Sequence, residues 1–102
     1  MQRFSDIRDA FAKETLAVSS SVVTLTAATY SPGGGLRSAQ YAFITVETNP
    51  IRWWCTGDNP TTTQGHLAAV GDIILLEGVN NVRNFKAIRS TADATIQASY
   101  SR

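Results

Sequence analysis

The sequence predicts an all-β fold, a single antiparallel β-sandwich or barrel of about six or seven short strands with a short N-terminal helical arm. Three observations carry this expectation. From Thr15 onward the chain is rich in Thr, Val, Ile, Ala and Ser, and helical periodicity disappears. Turn formers interrupt it repeatedly, as in Ser31-Pro32-Gly33-Gly34-Gly35, Asn49-Pro50 and Gly57-Asp58-Asn59-Pro60. No helical pattern lies between the strands, so no βαβ unit is expected.

Residues 1–14 read as the arm and 15–102 as the β-sandwich domain. Phe4, Ile7, Ala10 and Phe11 form one apolar stripe at helical spacing, with Arg3, Asp6, Arg8, Asp9 and Lys13 opposite. So short a helix is marginal in water and needs a partner, either its own domain or a neighbouring subunit. Leu16-Ala17-Val18 and Val22-Val23-Thr24-Leu25 are β-prone runs. Gln40 to Thr48 alternates as a central strand, Asn49-Pro50 turns the chain, and Ile51, Trp53 and Cys55 share one face of a second strand. Those two strands are expected to form a hairpin. The stretch 56–72 is a long turn-rich connection, and Ile73 to Glu77 is a strand apolar on both faces. Residues 78–84 turn, and Phe85–Arg89 and Ala94–Tyr100 are expected to close the fold as a pair, with Ala94, Ile96, Ala98 and Tyr100 facing inward. The expected core is Tyr41, Phe43, Ile44, Trp53, Ile74, Leu75, Phe85, Ile88 and Ile96.

At 102 residues the chain is one domain, and at 43% hydrophobic it can build a core without metal or disulfide. Its one cysteine, Cys55, has no partner for an intramolecular bridge, which suits a reducing compartment such as a bacterial cytoplasm. The formal net charge is +1. Charged residues make up 17% of the chain, below the ~25% usual in globular domains. That balance argues against nucleic acid, which calls for a concentrated basic face, and suits a surface covered by other proteins. No segment reaches the length of a membrane span, and the polar start does not read as a secretion signal.

The chain offers little for catalysis. His66 is its only histidine and reads as a structural residue hydrogen-bonded through its ring, rather than as a base or ligand. Zinc would need several Cys or His ligands at set spacings. A Cys55–His66 pair has suitable types for nucleophilic catalysis, but no spacing supports their contact. Cys55 reads as a small buried apolar residue. Gly33-Gly34-Gly35 lacks the Gly-Lys-Ser/Thr ending of a phosphate loop, and the acidic residues lack calcium-loop spacing. No cofactor or metal is expected. Of Trp53 and Trp54, adjacent on a strand, one should enter the core and the other stay outside. The outer one reads as an interface anchor in preference to a sugar-stacking platform. Arg83, Lys86 and Arg89 form a weak basic cluster, read as solvated charge.

From Tyr41 to Tyr100 the chain resembles small proteins encoded in the structural gene clusters of tailed bacteriophages and prophages. The resemblance rests on the order of the pieces. Ala-Phe-Ile-Thr-Val-Glu at 42–47 leads to Ile51-Arg52-Trp53, Thr56-Gly57-Asp58-Asn59-Pro60-Thr61 and Gly65-His66-Leu67. Gly71-Asp72-Ile73, Asn84-Phe85-Lys86-Ala87-Ile88-Arg89 and Ala94-Thr95-Ile96 follow. The family pattern often has a charged or tyrosine-like residue where Trp54 and Cys55 stand, and the arm has no counterpart in it. The resemblance implies a virion component with a β-sandwich body, made in the host cytoplasm and located on capsids or in tail and neck assemblies. It carries no catalytic residue. The expected role is a capsid decoration, or cement, protein, homo-oligomeric in the particle and bound to the major capsid protein or other virion subunits. Phe4, Ile7 and Phe11 are the expected docking anchors, with Arg52 and Trp54 as a secondary contact. Tail, neck or fibre-base subunits and a carbohydrate-binding adhesion module are the alternatives.

Overall fold

The computed structural model describes residues 10–33 and 38–102. Eight strands and two short helices follow in order: β1 (Ala10–Val18), β2 (Val23–Thr24), α1 (Ala27–Tyr30), β3 (Tyr41–Glu47), β4 (Ile51–Trp54), β5 (His66–Ala68), β6 (Ile73–Glu77), α2 (Val79–Asn84), β7 (Lys86–Arg89) and β8 (Ala94–Ser101). They form two four-stranded sheets, ordered β1-β8-β3-β6 and β2-β7-β4-β5. Every pairing is antiparallel. The all-β sandwich predicted from the sequence is the fold.

The inward faces are set by strand alternation. On β1, Ala12, Glu14, Leu16 and Val18 stand opposite Tyr100, Ala98, Ile96 and Ala94 of β8, and those four β8 residues are buried as their alternation predicts. On β3, Ala42, Ile44 and Val46 are buried, while Tyr41, Phe43 and Thr45 lie half-buried on the outer face. The expected core placed Tyr41 and Phe43 inside together with Ile44. Period-two geometry forbids that, because neighbours on a strand cannot share a face. Ile44, Ile74, Phe85, Ile88 and Ile96 are buried as expected; Trp53 and Leu75 are half-buried. Tyr100, fully buried, donates its hydroxyl to Glu14 Oε2 and meets the Tyr30 ring edge-on at 6.0 Å.

Four local expectations are corrected. Residues 10–14 of the expected helical arm are strand, because the open edge of β8 offers that segment a full ladder that an isolated helix lacks. The rest of the arm, with Phe4 and Ile7, lies outside the described residues. The expected β3–β4 hairpin does not form, and neither does the β7–β8 pair: in both cases the chain crosses to the opposite sheet. At the first crossing Thr48 takes a left-handed φ of 78°, and Asn49 Nδ2 donates to Asp93 O at 2.8 Å. At the second, Arg89 Nη1 reaches Asp93 Oδ1 at 2.5 Å. Crossing lets Val46 and Ile51, on consecutive strands, point into one core from opposite walls. Of all consecutive strands only β4 and β5 pair. The expected turn at 78–84 contains α2, which inserts fully buried Val82 between the sheets.

Candidate functional site

Two features at one end of the second sheet stand out: an aromatic cluster and the open flank beside it. Trp53 lies opposite His66 in the β4–β5 ladder. The imidazole packs 4.8 Å from the Trp53 ring and 5.1 Å, edge-on, from Trp54. Trp53 continues inward to Phe85 at 5.7 Å. The two tryptophans thus divide as alternation requires, with Trp53 against the core, yet both remain half-buried and share one histidine. His66 itself is exposed and held by rings.

The loop before β5 is locked beneath this cluster. Arg52 Nη1 donates to Gly65 O at 3.1 Å, while its Nε is buried without a partner. Gly65 has φ 129°, and a Cβ there would stand 3.2 Å from Pro60 Cβ and from the Trp53 backbone. Only glycine allows the loop this close to β4. Lys86 Nζ reaches Asn59 Oδ1 at 3.2 Å and ties the same loop to β7.

Between β5 and β6 the sandwich opens in a cleft of about 310 Å³ lined by Trp53, His66, Leu67, Ala68, Asp72, Ile73 and Ile74. Its rim is a tight turn. Asp72 N–H donates to Ala69 O at 2.9 Å, and Asp72 Oδ2 accepts from Ala69 N–H at 2.8 Å. Gly71 supplies the positive φ of 91° at the third position. Leu67, Val70 and Ile73, 55%, 54% and 41% exposed, are the exposed large hydrophobics among the described residues, and all three lie on this β5–turn–β6 segment. A second, shallow groove of about 400 Å³ runs over the outer face of the first sheet, along Lys13, Thr15, Phe43, Thr45, Gln97 and Ser99.

Of the expected docking residues, Phe11 sits half-buried in β1, its ring 3.8 Å below the Arg102 guanidinium. Arg52 and Trp54 belong to the other sheet, on β4. The described structure therefore does not gather the anchors into one patch, and Arg52 braces a loop of its own chain. Cys55 is half-buried against the core. In the basic cluster, Lys86 and Arg89 have partners within the chain. Sequence reasoning missed the β5–β6 flank because Leu67 and Val70 sit in a stretch without period. Its available signal was two apolar residues around a Gly-Asp turn.

Among the described residues no group of three or more His, Cys, Asp or Glu side chains could hold a metal ion. No helix among them is long and apolar enough to cross a membrane. Tyr100 has its hydroxyl pushed far above the ordinary tyrosine range, first by burial and then by its hydrogen bond and charge interaction with Glu14. Comparison of the chain with protein-family models, curated proteins and solved structures finds no match.

Proposed function

We propose that this chain is a non-enzymatic structural protein of a tailed-phage particle, a capsid decoration protein that binds the major capsid protein lattice. The observation that carries the reading is the outer face of the first sheet. Tyr41, Phe43, Leu75 and Ile73 occupy it side by side through the β3–β6 ladder, with hydroxyl and amide groups of Thr15, Thr45, Gln97 and Ser99 around them. An antiparallel sheet that faces only water carries polar residues there. A mixed aromatic and hydroxyl surface whose charges, Lys13, Glu47 and Glu77, stand on an edge strand or at strand ends is the chemistry of a protein–protein contact with a polar rim. The phage-family resemblance from Tyr41 to Tyr100 supplies the setting, and many modest contacts on a repeating lattice add up to stable attachment.

The test is co-assembly with purified empty heads of the phage that encodes the chain. The chain should saturate heads and protect them from thermal disruption, and Phe43→Lys, which places a charge in the middle of that face, should abolish both effects. Partition with tails or necks instead of heads would replace the capsid role by a tail or neck one. A carbohydrate-binding role is the second reading, favoured by half-buried Trp54 beside exposed His66. It predicts a shift of tryptophan fluorescence on adding host polysaccharide, with no binding to heads.

A further inference from the structure

Among the described residues the sandwich has four edge strands, and three of them carry devices that discourage a foreign strand from pairing. β1 has a register shift between Ala10 and Ala12 and shows an exposed Lys13. β2 has two residues and β5 three. Bulges, edge lysines and shortness are the means by which natural sheets blunt an edge. β6 has none of these. It runs Ile73-Ile74-Leu75-Leu76-Glu77 in unbroken register with β3, without lysine or proline.

The phase of the β3–β6 ladder decides which groups β6 offers. Val46 N–H donates to Asp72 O, and Gly78 N–H donates to Gln40 O. Residues 72 and 78 therefore face β3, and by alternation Ile73, Leu75 and Glu77 direct their N–H and C=O groups to the open side. Within that row Glu77 O already accepts from Asn81 Nδ2 at 2.8 Å, while Ile73 and Leu75 keep theirs open on the side away from β3, beside the exposed Leu67, Val70 and Ile73.

We propose that β6 is a homodimerisation edge, at which two copies of this chain pair antiparallel about a two-fold axis through Leu75, fusing their first sheets into one. The occupant is a second copy because, among the described residues, β6 is the one edge of more than three residues without a bulge or a lysine, and about an axis at Leu75 its outward groups meet their own complements. In this register Leu75 meets Leu75 of the partner subunit, and Ile73 lies across from the partner's Glu77. The two Glu77 carboxylates then sit about 13 Å apart along the strands, four residues at the antiparallel rise. That separation exceeds the Debye length of roughly 8 Å at physiological ionic strength, so their repulsion is screened. A two-fold contact closes on itself and gives a dimer, not a fibre. A strand of this length beside one sandwich flank falls at the small end of specific interfaces, so dimerisation is concentration-dependent. The inference holds for the isolated chain whether or not a phage particle is its destination, and so it fails separately from the capsid reading.

The test is sedimentation velocity of the full chain from roughly 5 to 500 µM, a range that brackets micromolar association. It compares the native chain with Leu75→Pro, which removes only an outward N–H, and Ile73→Lys, which adds an edge charge at an exposed position. The native chain should shift from monomer to dimer across the range, and both variants should remain monomeric at the top of it. Thermal unfolding of Ile73→Lys should stay close to that of the native chain; if Leu75→Pro does not fold, Ile73→Lys alone decides. A native chain that stays monomeric throughout overturns the proposal. So does a dimer that survives Ile73→Lys, or assembly that continues past the dimer.

Discussion

Tyr100 and Glu14 show how one polar pair is accommodated inside the sandwich. Glu14 is the single charged residue on the inward face of β1, and its Oε2 accepts both the Tyr100 hydroxyl and the Thr26 backbone N–H, the latter at 3.0 Å. Tyr100→Phe removes one donor and is expected to lower stability by about 1–3 kcal/mol near neutral pH, measured by chemical denaturation. The pH dependence has a definite sign. Burial and Glu14 raise the Tyr100 hydroxyl above its ordinary value of 10.0, so the folded chain keeps a proton that the unfolded chain releases. Stability from this group is complete below about pH 10 and falls as pH rises further, because the unfolded state then binds fewer protons. Tyr100→Phe should flatten that alkaline decline relative to the native chain; an unchanged slope would show that Tyr100 is not its source.

At the scale of elements, β1 belongs to the body of the fold. Ala12, Lys13 and Glu14 pair with Tyr100, Ser99 and Ala98, so a truncation meant to remove only an arm must stop before Ala10. Removing residues 1–9 leaves every described strand pairing in place. Removing 1–14 deletes half of an edge strand together with the Glu14–Tyr100 contact. The second truncation should unfold at a clearly lower temperature than the first, as read by circular dichroism. Equal melting temperatures would mean that Ala10 to Glu14 of β1 contribute nothing to stability. The helical stripe of Phe4, Ile7, Ala10 and Phe11 misled at its C-terminal half for a physical reason. Spacing describes what a segment does alone, whereas β8 supplied an unpaired edge that outweighed it.

At the scale of the whole molecule, consecutive strands alternate between the two sheets at almost every step, and only β4 and β5 remain neighbours. Neither sheet can therefore form without most of the chain, and the two should unfold together. Tryptophan fluorescence, which reports β4 in the second sheet, and far-ultraviolet circular dichroism, which reports both sheets, should give coincident denaturation curves. Separated midpoints would show that the sheets are independent units.

The residues alone determined the β class, the position of the central and last strands, the inward set Ala94, Ile96, Ala98 and Tyr100, and the division of labour between Trp53 and Trp54. These follow from period-two alternation and turn chemistry, which act over a few residues. Tertiary structure alone decided that β3 and β4 part company at Thr48-Asn49-Pro50, that Tyr41 and Phe43 face outward, and that His66 joins both tryptophans. It also decided that β6 is left as an open edge beside Leu67 and Val70. Those outcomes depend on which distant strand lies alongside, and that choice is made by closing one core between two walls, a condition no local pattern encodes.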